Sequence, residues 1–124
     1  MSCLFNSLAF HTTGSYDATE LRKLICDYLE KDPILIEDTK FSKLLSSTTK
    51  HQSLQHYVSQ MRKPSTWGSA FEVRAFCEIF HVIILVKTPQ GRFIEFQPNH
   101  RKKNQHLKKI KIDWNGYHYE PIRP

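Results

Sequence analysis

Three side chains in this 124-residue sequence could together make and use a nucleophile: the thiol of Cys3, the imidazole of His118 and the carboxylate of Glu120. A thiol attacks as thiolate, so it needs a base to take its proton and a third group to orient that base. Cys3 opens a predicted helix, where unpaired backbone N–H groups and the helix dipole favour an anionic sulfur. His118 falls in the last predicted extended segment. Glu120 is two positions further on, on the same face and roughly 6–7 Å along the strand, where it could hold the far ring nitrogen. Asp113 and Asn115 are weaker candidates for that role, because each lies across the Asn115-Gly116 turn from the histidine. By spacing alone, the same three residues also fit a small apolar thiol, a half-buried strand histidine between two tyrosines and a solvated charge. They stand at opposite ends of the chain, so only a fold could unite them.

The elements that must do so can be read in order. Residues 3–10 form a short helix, with Leu4 and Leu8 one turn apart. A polar loop follows, and Asp17-Ala18-Thr19-Glu20 has capping-box spacing for a second helix with Leu21, Leu24, Ile25, Tyr28 and Leu29 on its core face. Phe41, Leu44 and Leu45 mark a further helical turn or two, and Leu54, Tyr57, Val58 and Met61 a fourth short helix. Ser69 and Glu72 give a second capping box, opening a helix to about Phe80. The pattern then becomes β-like: a buried strand over 82–86, a turn at 89–91, a strand over 92–96, an alternating segment over 110–114, a tight turn at Asn115-Gly116 and a last extended segment over 117–122. Helices first and a small sheet last predict an α+β, or mixed α/β, domain over residues 1–124.

Composition narrows the function classes. Cys3, Cys26 and Cys77 are an odd number with no closely spaced pair, which argues against a disulfide framework or a zinc cage. Cys26 and Cys77 sit within apolar helical patterns, as inert buried thiols do. The seven histidines show no HExxH and no clustering with cysteine, so neither a metal nor another cofactor is expected. The longest aliphatic run, Val82 to Val86, is too short to span a bilayer, and no signal peptide is read. The expected location is cytoplasmic. The net charge of +6 is local: six Lys/Arg lie within 100–111, and the remaining cations and acids balance at twelve each. That run lacks aromatic side chains for base stacking, so a solvated loop, or a patch facing an acidic partner, is favoured over nucleic-acid binding.

Cys3-Leu4-Phe5-Asn6-Ser7-Leu8-Ala9 resembles the nucleophile segment of the ovarian-tumour (OTU) family of cysteine proteases. Thr66-Trp67-Gly68-Ser69-Ala70-Phe71-Glu72-Val73-Arg74-Ala75-Phe76 is similar to that family's central Trp-Gly…Glu…Ala helix, and Gly116-Tyr117-His118-Tyr119-Glu120-Pro121 to its closing His-Tyr motif. The three blocks stand in family order and span residues 3 to 121. The resemblance implies a papain-like fold, with a small central β-sheet flanked by helices. It also implies a deubiquitinase: Cys3 would attack the carbonyl at ubiquitin's C-terminal Gly-Gly, and His118 would take the thiol proton and return it to the leaving lysine amine. Trp67, Gly68, Tyr117 and Tyr119 would lie near the substrate groove, with Trp67 equally able to serve as a core anchor. The partner would be ubiquitin, polyubiquitin or a ubiquitin-like modifier, and the protein a monomer. Compact domains of this style suggest a virus or an intracellular bacterium, which would place the chain in the host cytosol.

Two departures from the family pattern bear on activity. An Asp-Gly-Asn-like loop usually precedes the cysteine and helps to build the oxyanion hole, whereas only Met1 and Ser2 precede Cys3. Either the chain is truncated, or the hole uses the amides of Ser2 and Cys3 alone. Losing one such donor costs on the order of 100-fold in rate, so the alternative to an enzyme is a catalytically impaired domain that binds ubiquitin or another protein. The second departure is Glu120, where many members carry Asp or Asn; it is one methylene longer and still able to accept from an imidazole.

Overall fold

Two capping boxes set the helical framework. Asp17 accepts from the Glu20 amide at 2.8 Å while Glu20 accepts from the Asp17 amide at 3.0 Å, and Ser69 and Glu72 repeat the arrangement. Each satisfies backbone donors that the first helical turn would leave unpaired. The computed structural model describes residues 3–48, 52–99 and 106–124. Within them the chain forms α1 (Cys3–Phe10), α2 (Ala18–Glu30), β1 (Ile34–Ile36), β2 (Thr39–Lys40), α3 (Phe41–Ser46), α4 (Leu54–Met61), α5 (Ala70–Phe80), β3 (Ile83–Lys87), β4 (Phe93–Phe96), β5 (Lys109–Trp114) and β6 (Tyr119–Ile122).

The expected α+β architecture is present. The main sheet has the order β4-β3-β5-β6, with β3 and β5 parallel and the outer pairs antiparallel. Its strands alternate in burial: Ile84, Val86, Ile110 and Ile112 are buried in the core, while Lys87, Lys109 and Lys111 are exposed. α1 packs against β6 and α2, and α5 against α2, β3 and β4. The beginning of the chain therefore lies against its end. Leu4, Phe5 and Leu8 of α1 share one core with Leu21, Ile25 and Leu29 of α2 and with Val73, Phe76 and Cys77 of α5.

Three features differ from the sequence-based expectation. The hairpin β1–β2 was not anticipated. α2 buries Arg22 as well as its apolar face, with the guanidinium 4.2 Å from the Phe5 ring centroid and donating to the carbonyls of Met61 (2.7 Å) and Pro64 (3.3 Å). The Asn115-Gly116 turn is wider than a two-residue hairpin: Trp114 pairs with Tyr119, so residues 115–118 form the loop and strand β6 starts after His118. The Asn115 side chain sets this width by accepting from the amides of Tyr117 (2.9 Å) and His118 (2.8 Å).

Glu72 does more than cap α5. It is completely buried; its Oε1 accepts from the Ser69 amide (2.6 Å) and hydroxyl (2.7 Å), and its Oε2 from the Tyr57 hydroxyl (2.7 Å). α4 is thereby tied to the start of α5.

Candidate active site

Cys3 is the first residue of α1, whose first-turn amides have no acceptor within the helix. It is partly exposed. Ser7, one turn on, is buried and donates its hydroxyl to the Cys3 carbonyl at 2.8 Å, which holds this end of the helix. The segment 117–121 of the closing hairpin lies opposite. Between them is a cleft of about 680 Å³ lined by Cys3, Asn6, Ser7, Phe10, Trp67, Tyr117, His118, Tyr119, Glu120 and Pro121.

The thiol, imidazole and carboxylate singled out in the sequence thus line one cavity. His118 Nε2 lies 3.6 Å from Glu120 Oε1, both side chains being more than half exposed. The separation is longer than a hydrogen bond, as is common before substrate tightens such a pair. With Nε2 facing Glu120, Nδ1 is the nitrogen left to meet the sulfur. Asn115 is committed elsewhere, to the turn amides, and Asp113 pairs across the strands with Glu120. Tyr119, next to His118, stacks on Trp114 with centroids 6.2 Å apart. Burial pushes its hydroxyl above the usual range.

Trp67 and Tyr117, expected in a groove, line the cleft with much of their surface open to solvent. Gly68 does not line it. Its α-carbon faces α1, and an added Cβ would stand 2.5 Å from Leu4 Cδ2 and 3.2 Å from Leu4 Cβ. Leu4 is fully buried, so it has little room to give way. Gly68→Ala should accordingly cost about 1–3 kcal/mol of stability, read from urea unfolding. An unchanged midpoint would mean that α1 does not depend on this close approach. Ser2 lies outside the described residues, as does the basic run from 100 to 105.

The other two cysteines are poor nucleophiles. Burial pushes the Cys26 thiol up to about 11 and the Cys77 thiol up to about 12, leaving both protonated near neutrality. Among the described residues no group of three or more His, Cys, Asp or Glu side chains could hold a metal ion, and no helix is long and apolar enough to cross a membrane.

The sequence matches the OTU-like cysteine protease family over residues 2–119. It is 28% identical over 127 residues to the ubiquitin thioesterase OTU1 of Xenopus laevis, covering 98% of this chain and 38% of that protein. Against the Homo sapiens protein of that name the identity is 26%, covering 98% and 33%. The chain thus spans little more than a third of the length of these relatives. Among solved structures it superposes on an OTU domain in complex with ubiquitin with a TM-score of 0.72 and 22% identity, covering 97% of this chain and 62% of that one. An OTU deubiquitinase from Wolbachia pipientis wMel bound to ubiquitin gives 0.61 and 18%, covering 97% and 88%. At these identities the superpositions show the fold, the papain-like α+β arrangement.

Proposed function

This chain belongs to the OTU-like cysteine protease family, and from that premise we propose that it hydrolyses peptide or isopeptide bonds at the C-terminus of ubiquitin or a ubiquitin-like modifier. The observation that carries the reading is that Cys3 and His118, from opposite ends of the sequence, line one cleft with Glu120 against the imidazole. His118 takes the Cys3 proton; the thiolate attacks the glycine carbonyl; the tetrahedral oxyanion is assigned to the amides of Ser2 and Cys3. His118 then protonates the leaving amine, and water activated by the same imidazole releases the acyl group from the sulfur. The aromatic walls of Phe10, Trp67, Tyr117 and Tyr119 suit a narrow, extended tail with little side-chain bulk at the bond to be cut.

The test is a ubiquitin whose C-terminus carries an electrophile. The expected result is a covalent adduct on Cys3, located by mass spectrometry, that is absent from Cys3→Ala. Ubiquitin binding without an adduct would replace the enzyme by a binding module. The role of Glu120 has its own signature. Because its side chain is largely exposed, Glu120→Ala should lower kcat by about 10–100-fold, less than loss of either reacting group, with KM little changed. Unchanged kcat in a steady-state assay would remove Glu120 from the mechanism.

A further inference from the structure

Phe10, at the far end of α1 from Cys3, lines two cavities: the candidate active site and a second groove of about 480 Å³. The second groove is bordered by Lys108, Lys109, Lys111 and Arg123, all exposed, and has Ile122 in its wall. Among the described residues no Asp or Glu side chain lines it. Among the described residues none of these four cations has an ion-pair partner. Two of them rest on rings instead: the Arg123 guanidinium lies 5.2 Å from the Phe10 centroid and the Lys111 ammonium 5.6 Å from that of Phe93. His11 adds no charge near neutrality, since burial, aided by Lys108, holds its imidazole below the usual range against the opposing effect of its bond to the Lys111 carbonyl.

Four like charges around one groove repel each other and attract a negative partner. We infer that this groove holds an acidic, aliphatic peptide segment of the substrate whose bond is cut in the adjoining cleft; the inference rests on the hydrolase reading. A peptide fits better than a nucleic acid. The walls present carbon surface that a phosphate backbone would leave uncovered. Base stacking needs an open aromatic face, and the Phe10 ring is occupied by Arg123. Continuity through Phe10 allows one extended segment to run from the cleft into the groove.

The test compares two fluorogenic ubiquitin fusions, one continuing past the cleaved bond into alternating Asp/Glu and Leu/Ile, the other into Ser and Leu. Wild-type protein should show a KM about tenfold lower for the acidic fusion. The gap should shrink with added salt and close in the Lys109→Glu, Arg123→Glu double variant. Equal KM values, or a gap that survives the double variant, overturn the inference. In parallel, fluorescence anisotropy follows the isolated acidic peptide and a single-stranded oligonucleotide of equal charge. Tighter, salt-sensitive binding of the oligonucleotide overturns the peptide assignment. Neither substituted residue belongs to the candidate catalytic set, so both proteins should still react with the electrophilic ubiquitin. Adduct formation without acidic-peptide preference defeats this inference alone. Acidic-peptide binding by a wild-type protein that forms no adduct defeats the hydrolase reading, and the substrate-segment assignment with it.

Discussion

Cys3→Ala is expected to lower turnover of a ubiquitin fusion by about 10⁴-fold or more, and His118→Ala to do nearly the same. The reason is chemical. Without sulfur there is no acyl intermediate, and without imidazole the thiol is neither deprotonated nor the leaving amine protonated. The sharper expectation concerns the pair. A nucleophile and its base act as one unit, so the double variant should be no slower than the worse single variant. Single-turnover cleavage measures the rates, and calorimetry with intact ubiquitin should give dissociation constants that the substitutions barely move. Independent, multiplying losses would mean that Cys3 and His118 do not act together. Retained cleavage in Cys3→Ala would remove the thiol from the reaction altogether.

The candidate site was legible in part because its residues carry unusual types in a recognisable order. Cys3 begins a helix whose apolar spacing is plain, and the His-x-Glu spacing places imidazole and carboxylate together whether the backbone is a strand or, as here, the end of a turn. What could not be read was the turn itself. Asn115-Gly116 signals a two-residue hairpin, yet the Asn115 side chain captures two amides and widens it, so His118 precedes the strand. The family resemblance places Gly68 near the groove with Trp67. Its role against Leu4 depends on a contact between distant segments, which no local pattern encodes. The second groove is half visible: its lysines form an obvious run, but Arg123 and Phe10 join them only through the pairing of β5 with β6 and the packing of α1 on β6.

The same division holds for the fold. α2 and α5 announce themselves by capping boxes, and β3 by an aliphatic run, all local signals. β1 and β2 have three and two residues, too short for any period to show. Asn99 helps to hold them, accepting from the Glu37 amide at 2.9 Å and donating to the Ile34 carbonyl at 3.2 Å from far along the chain. Arg22 carries no local sign of burial, because an arginine on a helix is ordinarily a surface residue. Its burial depends on the Phe5 ring and on carbonyls at Met61 and Pro64 coming within reach.

Glu72→Leu is the substitution expected to damage the fold most. It would leave the Ser69 amide and hydroxyl and the Tyr57 hydroxyl inside the protein without their acceptor. The expected cost is about 3 kcal/mol or more, a fall of roughly 10 °C in Tm for a chain of this size, read from thermal melts at neutral pH. Glu72→Gln should be far milder. The amide oxygen can accept from Ser69 while its nitrogen donates to Tyr57, whose own hydroxyl can turn to Ser69 Oγ, 3.0 Å away. The two variants should also differ from wild type in pH dependence. Burial raises the Glu72 carboxyl above its ordinary value of 4.5, against the lowering effect of its hydrogen bonds. The native chain therefore binds this proton more tightly than the unfolded one. The associated stability is complete below about pH 4.5 and is lost as pH rises through the native value. Glu72→Gln stays neutral throughout, so its stability relative to wild type should improve as pH climbs from 4.5 towards 8 in urea titrations. A flat difference would mean that the native carboxyl of Glu72 is not raised above its unfolded value. The consequence reaches the cleft: Ser69 follows Gly68, which approaches α1 at Leu4. A carboxyl group with no surface exposure thus anchors the segment that leads from Gly68 into α5.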